Sequence, residues 1–369
     1  MKIISVFNNK GGVGKTTLTY HLAHILAEMG KKILILDLDP QCNISLYGMD
    51  EEELEKIWRK EDNIVDNGFD SSRRQMKDKD FDNLFNSTRT IHFLLKSVEE
   101  GISDFDKLPP PFEIADNLDL IPGRLTLFMY ENKISERWTG MFLGEPLSIR
   151  TVTRIRKLSE LYSEKNGYDF VITDTSPSLG TLNKVIISTA DGFIIPCLPD
   201  MFSLYGIKNI GKALTQWQRD FSICRSILSP EKRKGFPEKY VRFLGYTIYN
   251  AKKGSDSPNE WKLAKAHYNY AQQIPDAIRE HIDEKVRKHL SEETVAEPIG
   301  NDAIMHTHNT FPNMAQQYKK PMWELPGCNS LDPKDANTIA PNRKAYEATR
   351  GKYEEFAKDF LKRVATLDG

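Results

Sequence analysis

The stretch that decides the fold is Asn8-Asn9-Lys10-Gly11-Gly12-Val13-Gly14-Lys15-Thr16-Thr17, near the N-terminus. It follows a short apolar run at residues 3–7, rich in β-branched and aromatic types, which predicts a buried strand. After it, apolar residues recur at helical spacing as far as Gly30, a residue type that commonly ends helices. A strand, a glycine loop and a helix in this order predict a loop that binds phosphate groups.

The residue types of this loop suit a nucleotide phosphate. Gly11, Gly12 and Gly14 allow backbone N–H groups to turn inward around an anion, and the following helix adds the positive end of its dipole. Lys15 is placed to contact the β- and γ-phosphates, and the Thr16 hydroxyl is placed to ligate Mg²⁺. The loop therefore predicts a site for a nucleotide with its Mg²⁺ ion.

The loop departs from the strict pattern G-x-x-x-x-G-K-[ST] at its first position. That glycine would stand at position 9, which is Asn9, and a second lysine, Lys10, precedes the paired glycines. A glycine turn with two solvated lysines is the alternative. The predicted flanking strand and helix favour the phosphate loop.

Two further apolar runs end in carboxylates that we expect to lie near this loop. Residues 31–36 lead into Asp37 and Asp39, and residues 168–173 lead into Asp174. Open α/β sheets bind ligands at the carboxyl ends of their strands, and alternate residues of a strand share one side. One of the paired acids can support the metal or the loop while the other orients a water molecule, and Asp174 stands where a Mg²⁺-binding acid is expected. A simple strand-ending turn is the alternative for the paired acids.

The remaining apolar runs set the predicted fold class. Residues 118–122, 192–197 and 241–250 predict three more strands, and residues 181–190 have a helical pattern. Strands that alternate with helices predict an α/β fold with a doubly wound, mostly parallel sheet flanked by helices.

Composition excludes several classes of protein. The 369 residues are 39% hydrophobic, and 51 Lys or Arg residues against 52 Asp or Glu residues leave a net charge of −1, so neither a disordered nor a uniformly basic chain is expected. No apolar run approaches the roughly 20 residues that cross a bilayer. The cysteines have neither metal-ligand spacing nor the density of a disulfide framework. We expect a cytoplasmic protein with reduced thiols at Cys42, Cys197, Cys224 and Cys328.

These segments together resemble the ParA/MinD-type ATPases, which carry a deviant Walker A loop. The matching segments are residues 10–17, 37–43, 168–180 and 191–207, in the order of that family. The Asp-Leu-Asp-Pro-Gln-x-Asn block at 37–43 and the Pro-Ser-Leu-Gly block at 177–180 are similar to the ParA branch. Residues 299–321 weakly resemble the closing strand and loop of the family.

The resemblance implies a slow ATPase that forms a sandwich homodimer with ATP and Mg²⁺. It also implies non-specific DNA binding and stimulation by a ParB-like or cargo-adaptor protein. The outcome would be partition of plasmid or chromosome DNA, or positioning of a cargo, by a nucleoid-associated protein of the cytoplasm. The implied catalytic residues are Lys10, which would reach the partner's nucleotide, Lys15, and Asp39, which would position the water. The implied nucleotide-binding residues are Lys10, Gly11, Gly12, Val13, Gly14, Lys15, Thr16, Thr17 and, at the adenine, Asn250. The implied Mg²⁺ residues are Thr16, Asp37 and Asp174.

The chain is longer than a minimal ATPase of this type, which has ~250 residues in one domain. We interpret residues 1–369 as a single ParA-like ATPase domain with insertions at residues 51–117 and 251–297. The first segment holds 10 Lys or Arg against 17 Asp or Glu, a net charge of about −7. The second shows helical patterns at residues 260–272 and 276–290.

Residues 205–270 hold 13 Lys or Arg against 5 Asp or Glu, a net charge of about +8. They could form a patch that contacts DNA phosphates without reading sequence. The alternative is a solvated loop whose charges are scattered by folding. The residues proposed for the patch are Arg219, Arg225, Lys232, Arg233, Lys234, Lys239, Arg242, Lys252 and Lys253.

The last predicted helix, residues 342–366, carries one apolar face. It could bind a membrane, as in MinD-type proteins, but its polar face mixes both charges, so we expect it to dock on the protein's own core. Membrane binding is accordingly not expected. The competing functions are a MinD-like membrane-cycling ATPase, a nucleotide-gated protein-interaction module without DNA binding, and an enzyme or metallocluster carrier, against which the sparse cysteines argue.

Overall fold

A computed structural model describes residues 1–105, 107–233, 235–254 and 257–368. Within these ranges the strands are β1 (Lys2–Val6), β2 (Ile33–Leu38), β3 (Phe112–Ala115), β4 (Leu118–Ile121), β5 (Phe170–Thr175), β6 (Gly192–Cys197) and β7 (Arg242–Ile248). They form one sheet in the order β3-β4-β2-β5-β1-β6-β7. Every neighbouring pair is parallel except β3 and β4. The prediction of a mostly parallel, doubly wound α/β sheet is confirmed.

Helices cover both faces of this sheet. In the described residues they are α1 (Lys15–Glu28), α2 (Asn43–Gly48), α3 (Glu51–Asn67), α4 (Phe69–Gln75), α5 (Asp78–Leu84), α6 (Ile91–Glu100), α7 (Phe128–Phe142), α8 (Pro146–Asn166), α9 (Thr181–Thr189), α10 (Met201–Ile227), α11 (Pro230–Arg233), α12 (Lys265–Ala271), α13 (Ile274–His281), α14 (Glu284–Arg287), α15 (Glu292–Ala296), α16 (Phe311–Tyr318), α17 (Pro333–Ile339) and α18 (Arg343–Ala365).

The sheet separates two apolar cores because successive residues of a strand point to opposite faces. On β2, Leu34 and Leu36 belong to one core, while Ile33 and Ile35 belong to the other. All six residues of β2 are buried, as expected for a central parallel strand with helices on both sides. Because both faces of such a strand are buried, it appears in the sequence as a continuous apolar run.

The strand register brings the predicted carboxylates to one edge of the sheet. Val6, the last residue of β1, pairs with Asp174 of β5. On the other side of β5, Asp174 pairs with Asp37 of β2. The phosphate loop leaves β1 at this same edge, so the fold places both acids beside the loop.

Two details of the fold differ from the sequence-based expectations. Strand β3 was not predicted, because its four residues at the sheet edge are only half-buried or exposed and therefore form no apolar run. Residues 299–321, expected to contain a closing strand, form turns and α16 instead. They bond to the sheet region through an isolated parallel bridge between Ala251 and His306, and through the Ile299 N–H, which donates to the Tyr246 carbonyl of β7 at 2.8 Å.

The last helix docks on the protein's own core. Within α18, Tyr346, Tyr353, Phe356 and Phe360 are fully buried in the core that also contains α1. This face is therefore unavailable to a lipid surface. Among the helices of the described ranges, none combines the length and the apolar character that a bilayer crossing needs.

Both segments predicted as insertions contribute to the core on the other face. Phe85 and Phe93 from the first segment, and Ile274 and Ile278 from the second, are buried there. The helical pattern at 260–272 corresponds to α12, and the pattern at 276–290 corresponds to α13 and α14. Their status as insertions within a single domain stays a prediction.

Candidate functional site

Most of the residues predicted to bind nucleotide, all except Lys10 and Val13, line one open cleft at the carboxyl edge of the sheet. The cleft has a volume of about 470 Å³. It is lined by Gly11, Gly12, Gly14, Lys15, Thr16, Thr17, Asp39, Gln41, Asn43, Tyr47, Pro177, Tyr249, Asn250, Thr307, Asn309, Pro312 and Asn313. The fold thus joins the loop after β1, the acid after β2 and the asparagine after β7, which are far apart in sequence.

The glycine loop adopts the backbone conformation that its sequence allows. Gly12 and Gly14 have φ angles of 72° and 83°, in the left-handed region that disfavours a Cβ atom. Gly14 is the N-cap of α1, and its carbonyl accepts a hydrogen bond from the Leu18 N–H at 2.8 Å. Val13 between them is fully buried and anchors the loop. The N-terminus of α1 therefore opens directly into the cleft, as anion binding requires.

Lys15 is held at the base of the cleft. Its ammonium donates a hydrogen bond to the Lys10 carbonyl oxygen at 3.2 Å, and its side chain is largely buried. Burial lowers the pKa of Lys15, while the carboxylates of Asp174 and Asp39 oppose that shift. An anionic phosphate in the cleft would oppose this lowering of the Lys15 pKa, because a nearby negative charge favours the charged form of the lysine.

Thr16 and Asp174 form a donor pair that fits a hard cation. The Thr16 hydroxyl donates to Asp174 Oδ2 at 2.8 Å, while the buried Asp174 Oδ1 has no hydrogen-bond partner among the described residues. Burial, followed by the neighbouring Asp37, raises the pKa of Asp174 to about 8. A hydroxyl oxygen and a carboxylate with an unsatisfied oxygen suit Mg²⁺, which usually takes few protein ligands and completes its shell with water and phosphate oxygens. The described part of the chain contains no group of three or more His, Cys, Asp or Glu side chains that could hold a metal ion.

Asp37 lies behind the cleft and does not line it. Its carboxylate accepts hydrogen bonds from the Ser45 N–H at 3.0 Å, the Ser45 hydroxyl at 2.5 Å and the Asp39 N–H at 3.2 Å. Ser45 Oγ in turn accepts from the Gly123 N–H at 2.8 Å. These contacts hold the turn between β2 and α2 and do not involve the phosphate loop. Its role at Mg²⁺ stays a prediction.

Asp39 does line the cleft. Its Oδ1 accepts a hydrogen bond from the Gln41 N–H at 2.9 Å, which fixes the turn after β2. No other hydrogen bond within the described residues engages the carboxylate, so Oδ2 is available to a ligand or water. This geometry is compatible with the water-positioning role implied for Asp39.

Lys10 points away from the cleft and is paired within its own chain. Its ammonium contacts the carboxylate of Asp200 and lies 5.6 Å from the centre of the Phe202 ring. Asp200 also caps α10, accepting a hydrogen bond from the Ser203 N–H at 2.9 Å. In this arrangement Lys10 does not reach its own nucleotide cleft.

Several cleft residues were missed by sequence reasoning. Tyr249 is fully buried against the loop, and its hydroxyl lies 2.9 Å from that of Tyr353 on α18. Residues 307–313 supply a wall of the cleft, although their mixed polar sequence carries no periodicity that would mark them. Tyr47 reaches Thr17, with 3.1 Å between the two hydroxyl oxygens. Among the cleft residues after β7, Asn250 was the one predicted from the sequence, because it stands at the end of a predicted strand. In the structure its φ angle is 59°.

The basic residues of 205–270 do not form one patch. Lys239 and Arg242 stand at the amino end of β7, whereas Lys252 and Lys253 follow its carboxyl end, roughly 20 Å away. Others are engaged by backbone carbonyls: Arg225 with Pro237, Lys232 with Gly144 at 2.8 Å and Arg233 with Leu228 at 2.8 Å. Lys234 lies outside the described residues. Of the two alternatives, the structure favours scattered charges, because folding distributes these residues over both ends of β7.

The fold and the cleft define a P-loop nucleotide-binding protein. Residues 1–226 match the family model described as "AAA domain". The chain belongs to the ParA family of P-loop ATPases, which confirms the family resemblance.

Comparisons with individual proteins agree with this assignment. The chain is 32% identical over 211 residues to an uncharacterized protein of Methanocaldococcus jannaschii, which covers 56% of this chain and 63% of that relative. It is 24% identical over 282 residues to the chromosome partitioning protein ParA of Caulobacter vibrioides, covering 76% of this chain and 82% of the relative. The solved structure of pNOB8 ParA bound to nonspecific DNA superposes with a TM-score of 0.53 at 18% identity, over 99% of this chain and 98% of that one. At this identity the structural likeness establishes the fold.

Proposed function

We propose that this protein is a Mg²⁺-dependent ATPase that acts as a slow, partner-stimulated switch. It dimerises with ATP, binds DNA non-specifically and drives the partition of plasmid or chromosome DNA or the positioning of a cargo. The observation that carries the proposal is the single cleft that joins the glycine loop, the Thr16–Asp174 pair and Asp39. The name of the Caulobacter relative and the DNA in the pNOB8 ParA structure support the partition role.

The chain's own residues account for the chemistry. Lys15 and the N–H groups at the start of α1 would bind the phosphates of ATP, and Thr16 with Asp174 would hold Mg²⁺. When bound, the ion neutralises charge on the phosphate oxygens. Asp39 accepts a hydrogen bond from water through its unengaged oxygen and so orients the attack. Tyr249 and Asn250 close the cleft on the side expected for the base.

Measurements of ATP binding and turnover test whether the protein is an ATPase that uses this cleft. Lys15→Ala should weaken ATP binding by at least about tenfold, since it removes the charge-assisted hydrogen bond to phosphate. Lys344→Ala is the matched control, because Lys344 is exposed on α18. Asp39→Ala should retain ATP binding and lose hydrolysis. Equal ATP affinity and turnover in wild type and Lys15→Ala would refute the proposed activity.

Apolar residues beside the loop support the ATP-dependent dimer. Met201, Phe202 and Tyr205 on α10 are 46%, 64% and 60% exposed, and Leu179 is 37% exposed. Phe202 lies next to Lys10, so this surface borders the lysine that is implied to act on the partner's nucleotide. Asp39→Ala with ATP should elute as a dimer on a sizing column, whereas Phe202→Glu in the same background should elute as a monomer. A monomer in both cases would count against the sandwich arrangement.

The best candidate for a DNA contact is narrower than the patch expected from sequence. Lys208, Lys212 and Arg219 recur along one side of α10 and line a shared groove, which also contains Glu280. Such a stripe contacts phosphates without reading bases. Reversing Lys212 and Arg219 to Glu should weaken DNA binding. A plot of the logarithm of the DNA-binding constant against the logarithm of the salt concentration should also become less steep. The slope should fall by about one unit for each phosphate group that the protein no longer neutralises.

The control for this experiment carries the same change of charge elsewhere. Lys344 and Lys362 are exposed on α18, and their reversal to Glu should leave DNA binding unchanged. Loss of binding in both double variants would indicate a general charge effect. Absence of DNA binding by wild type at low salt would favour a nucleotide-gated protein-interaction module.

The stimulating partner and the nucleoid location complete the proposal. A ParB-like or cargo-adaptor protein would accelerate turnover of the DNA-bound dimer in the cytoplasm. The membrane-cycling alternative loses its motivation, since the apolar face of α18 is buried in the core. Stimulation of ATP turnover by DNA, or by the product of a neighbouring gene, tests this step. Stimulation by anionic liposomes alone would contradict it.

A further inference from the structure

A second cavity, separate from the nucleotide cleft, lies in the acidic segment of residues 51–117. It has a volume of about 680 Å³ and shares no lining residue with the cleft. Cavities of this size accept a large side chain or a small ligand. Its lining residues are Phe69, Asp70, Arg73, Phe81, Asp82, Phe85, Asn86, Ile102, Ser103, Asp104, Phe105 and Lys107.

Its wall is a preformed cluster of aromatic rings. Phe69 lies 5.0 Å from Phe105 and 5.5 Å from Phe81, measured between ring centres, and Phe85 lies 5.1 Å from Phe105. Phe69 and Phe85 are buried in the core, whereas Phe81 and Phe105 remain partly exposed at the cavity. Because the buried rings hold the exposed ones in place, an apolar group could dock here without reorganising the wall.

The rim of the cavity is negative. Among the described residues, neither Asp70 nor Asp82 has an ion-pair or hydrogen-bond partner for its carboxylate, and both are exposed. Of the two basic lining residues, Arg73 is ion-paired, whereas Lys107 bonds an uncharged side chain and keeps its positive charge. Arg73 pairs with Asp78 at 2.5 Å and covers the Phe81 ring at 4.5 Å, and Lys107 contacts Asn86.

Among the described residues, the rim therefore carries two unpaired carboxylates against one unpaired ammonium, that of Lys107, and it lies in a segment with a net charge of about −7. This potential disfavours nucleotides and DNA and favours a cationic partner.

We propose that this cavity is a docking site for a basic segment of a partner protein, which inserts one aromatic side chain against Phe81 and Phe105. Lysine or arginine residues flanking that anchor would face Asp70 and Asp82. Aromatic anchors in preformed pockets with charged surroundings are the common form of a protein hot spot. The site is separate from the nucleotide cleft and does not depend on the ATPase proposal.

The probe is a fluorescein-labelled peptide of sequence Lys-Lys-Arg-Phe-Arg-Lys-Lys, titrated with the full-length protein and followed by fluorescence anisotropy. Two comparison peptides replace the central Phe with Gly or replace every basic residue with Glu. The first peptide should bind saturably, and both comparison peptides should bind at least about tenfold more weakly. No saturable binding of the first peptide would overturn the proposal.

Variants locate the binding on the protein. Asp70→Lys with Asp82→Lys should weaken binding about tenfold or more, and so should Ser103→Trp, which fills the cavity from an exposed position. The matched control is Asp66→Lys with Asp80→Lys, which makes the same change of charge at exposed residues of α3 and α5 outside the cavity. The control should bind as wild type does.

Three further outcomes would overturn the proposal. Equal loss in the control and in the rim variant would indicate non-specific attraction. Unchanged binding in Ser103→Trp would place the peptide elsewhere. Saturable binding of phenethylamine that depends on the same variants, with no peptide binding, would indicate a small-molecule site. Circular dichroism of each variant shows whether it has folded.

Discussion

The phosphate loop offers a sharp test of how tertiary structure constrains a motif glycine. We predict that Gly14→Ala destabilises the nucleotide-free protein much more than Gly12→Ala does. Both glycines have a left-handed backbone, with φ angles of 83° and 72°. A Cβ atom in that conformation costs roughly 1–2 kcal/mol at either position. The two variants therefore share this backbone cost. The difference between their free energies of unfolding reports the packing of the added Cβ atom against its neighbours.

At Gly14 the added Cβ atom meets the ring of Tyr249, whereas at Gly12 it meets nothing within 4 Å. It would lie 2.3 Å from Tyr249 Cδ1 and 2.4 Å from Cε1, well inside van der Waals contact. Tyr249 cannot simply swing aside, because it is fully buried and its hydroxyl is bonded to that of Tyr353. Overfilling a packed core typically costs about 1–3 kcal/mol. We therefore expect a loss of roughly 2–5 kcal/mol for Gly14→Ala and of roughly 1–2 kcal/mol for Gly12→Ala.

Urea unfolding followed by circular dichroism, without nucleotide, measures both losses. A double-mutant cycle with Tyr249→Ala adds a second check, since the ring is then absent. In that background the extra cost of Gly14→Ala should shrink by about 1–3 kcal/mol. Equal destabilisation by the two alanine variants, or an unchanged cost in the Tyr249→Ala background, would refute the reasoning.

Three further predictions concern other parts of the molecule. Tyr353→Phe should lower the free energy of unfolding by about 1–2 kcal/mol because it leaves the buried Tyr249 hydroxyl without its partner, and adding Tyr249→Phe should recover part of that loss in urea unfolding. Asp200→Asn keeps the helix cap but removes the charge paired with Lys10, so sedimentation velocity should show dimer formation at lower ATP concentration; an unchanged requirement would mean that the pair does not restrain Lys10. Burial raises the pKa of Glu61 from 4.5 to about 7. The folded state therefore binds more protons than the unfolded state between these values, and stability should fall by up to about 3 kcal/mol as the pH rises through them. Glu61→Gln should flatten this part of the stability profile in urea unfolding at several pH values, and a slope equal to that of wild type would contradict the assignment.

The sequence predicted those parts of the fold whose signal is local. Strand β6 was predicted with its observed ends, since a strand buried on both faces appears as a continuous apolar run. The glycine loop was predicted as a unit because its strand, glycines and helix are contiguous. Strand β3 was missed for the opposite reason: an edge strand of four half-buried or exposed residues leaves no run to detect.

The candidate site divides in the same way. Lys15, Thr16 and Asp39 line the cleft as their positions after β1 and β2 led us to expect. Asp37 was grouped with them by its spacing. The direction of its carboxylate toward Ser45, however, depends on where α2 begins, and alternation along a strand does not specify that.

By itself, the sequence determined the class of the fold, the alternation of strands and helices along the chain, and the phosphate loop, because each arises from residues close together in the chain. Only the tertiary structure decided which residues meet. It placed Tyr249 under Gly14, paired Lys10 with Asp200 across 190 positions, and distributed the basic region over both ends of β7. It also closed an aromatic cavity with an acidic rim in a segment that the sequence marked only by its charge. Contacts of this kind depend on how helices and turns pack on a shared core. The spacing of residues along the chain does not specify that packing.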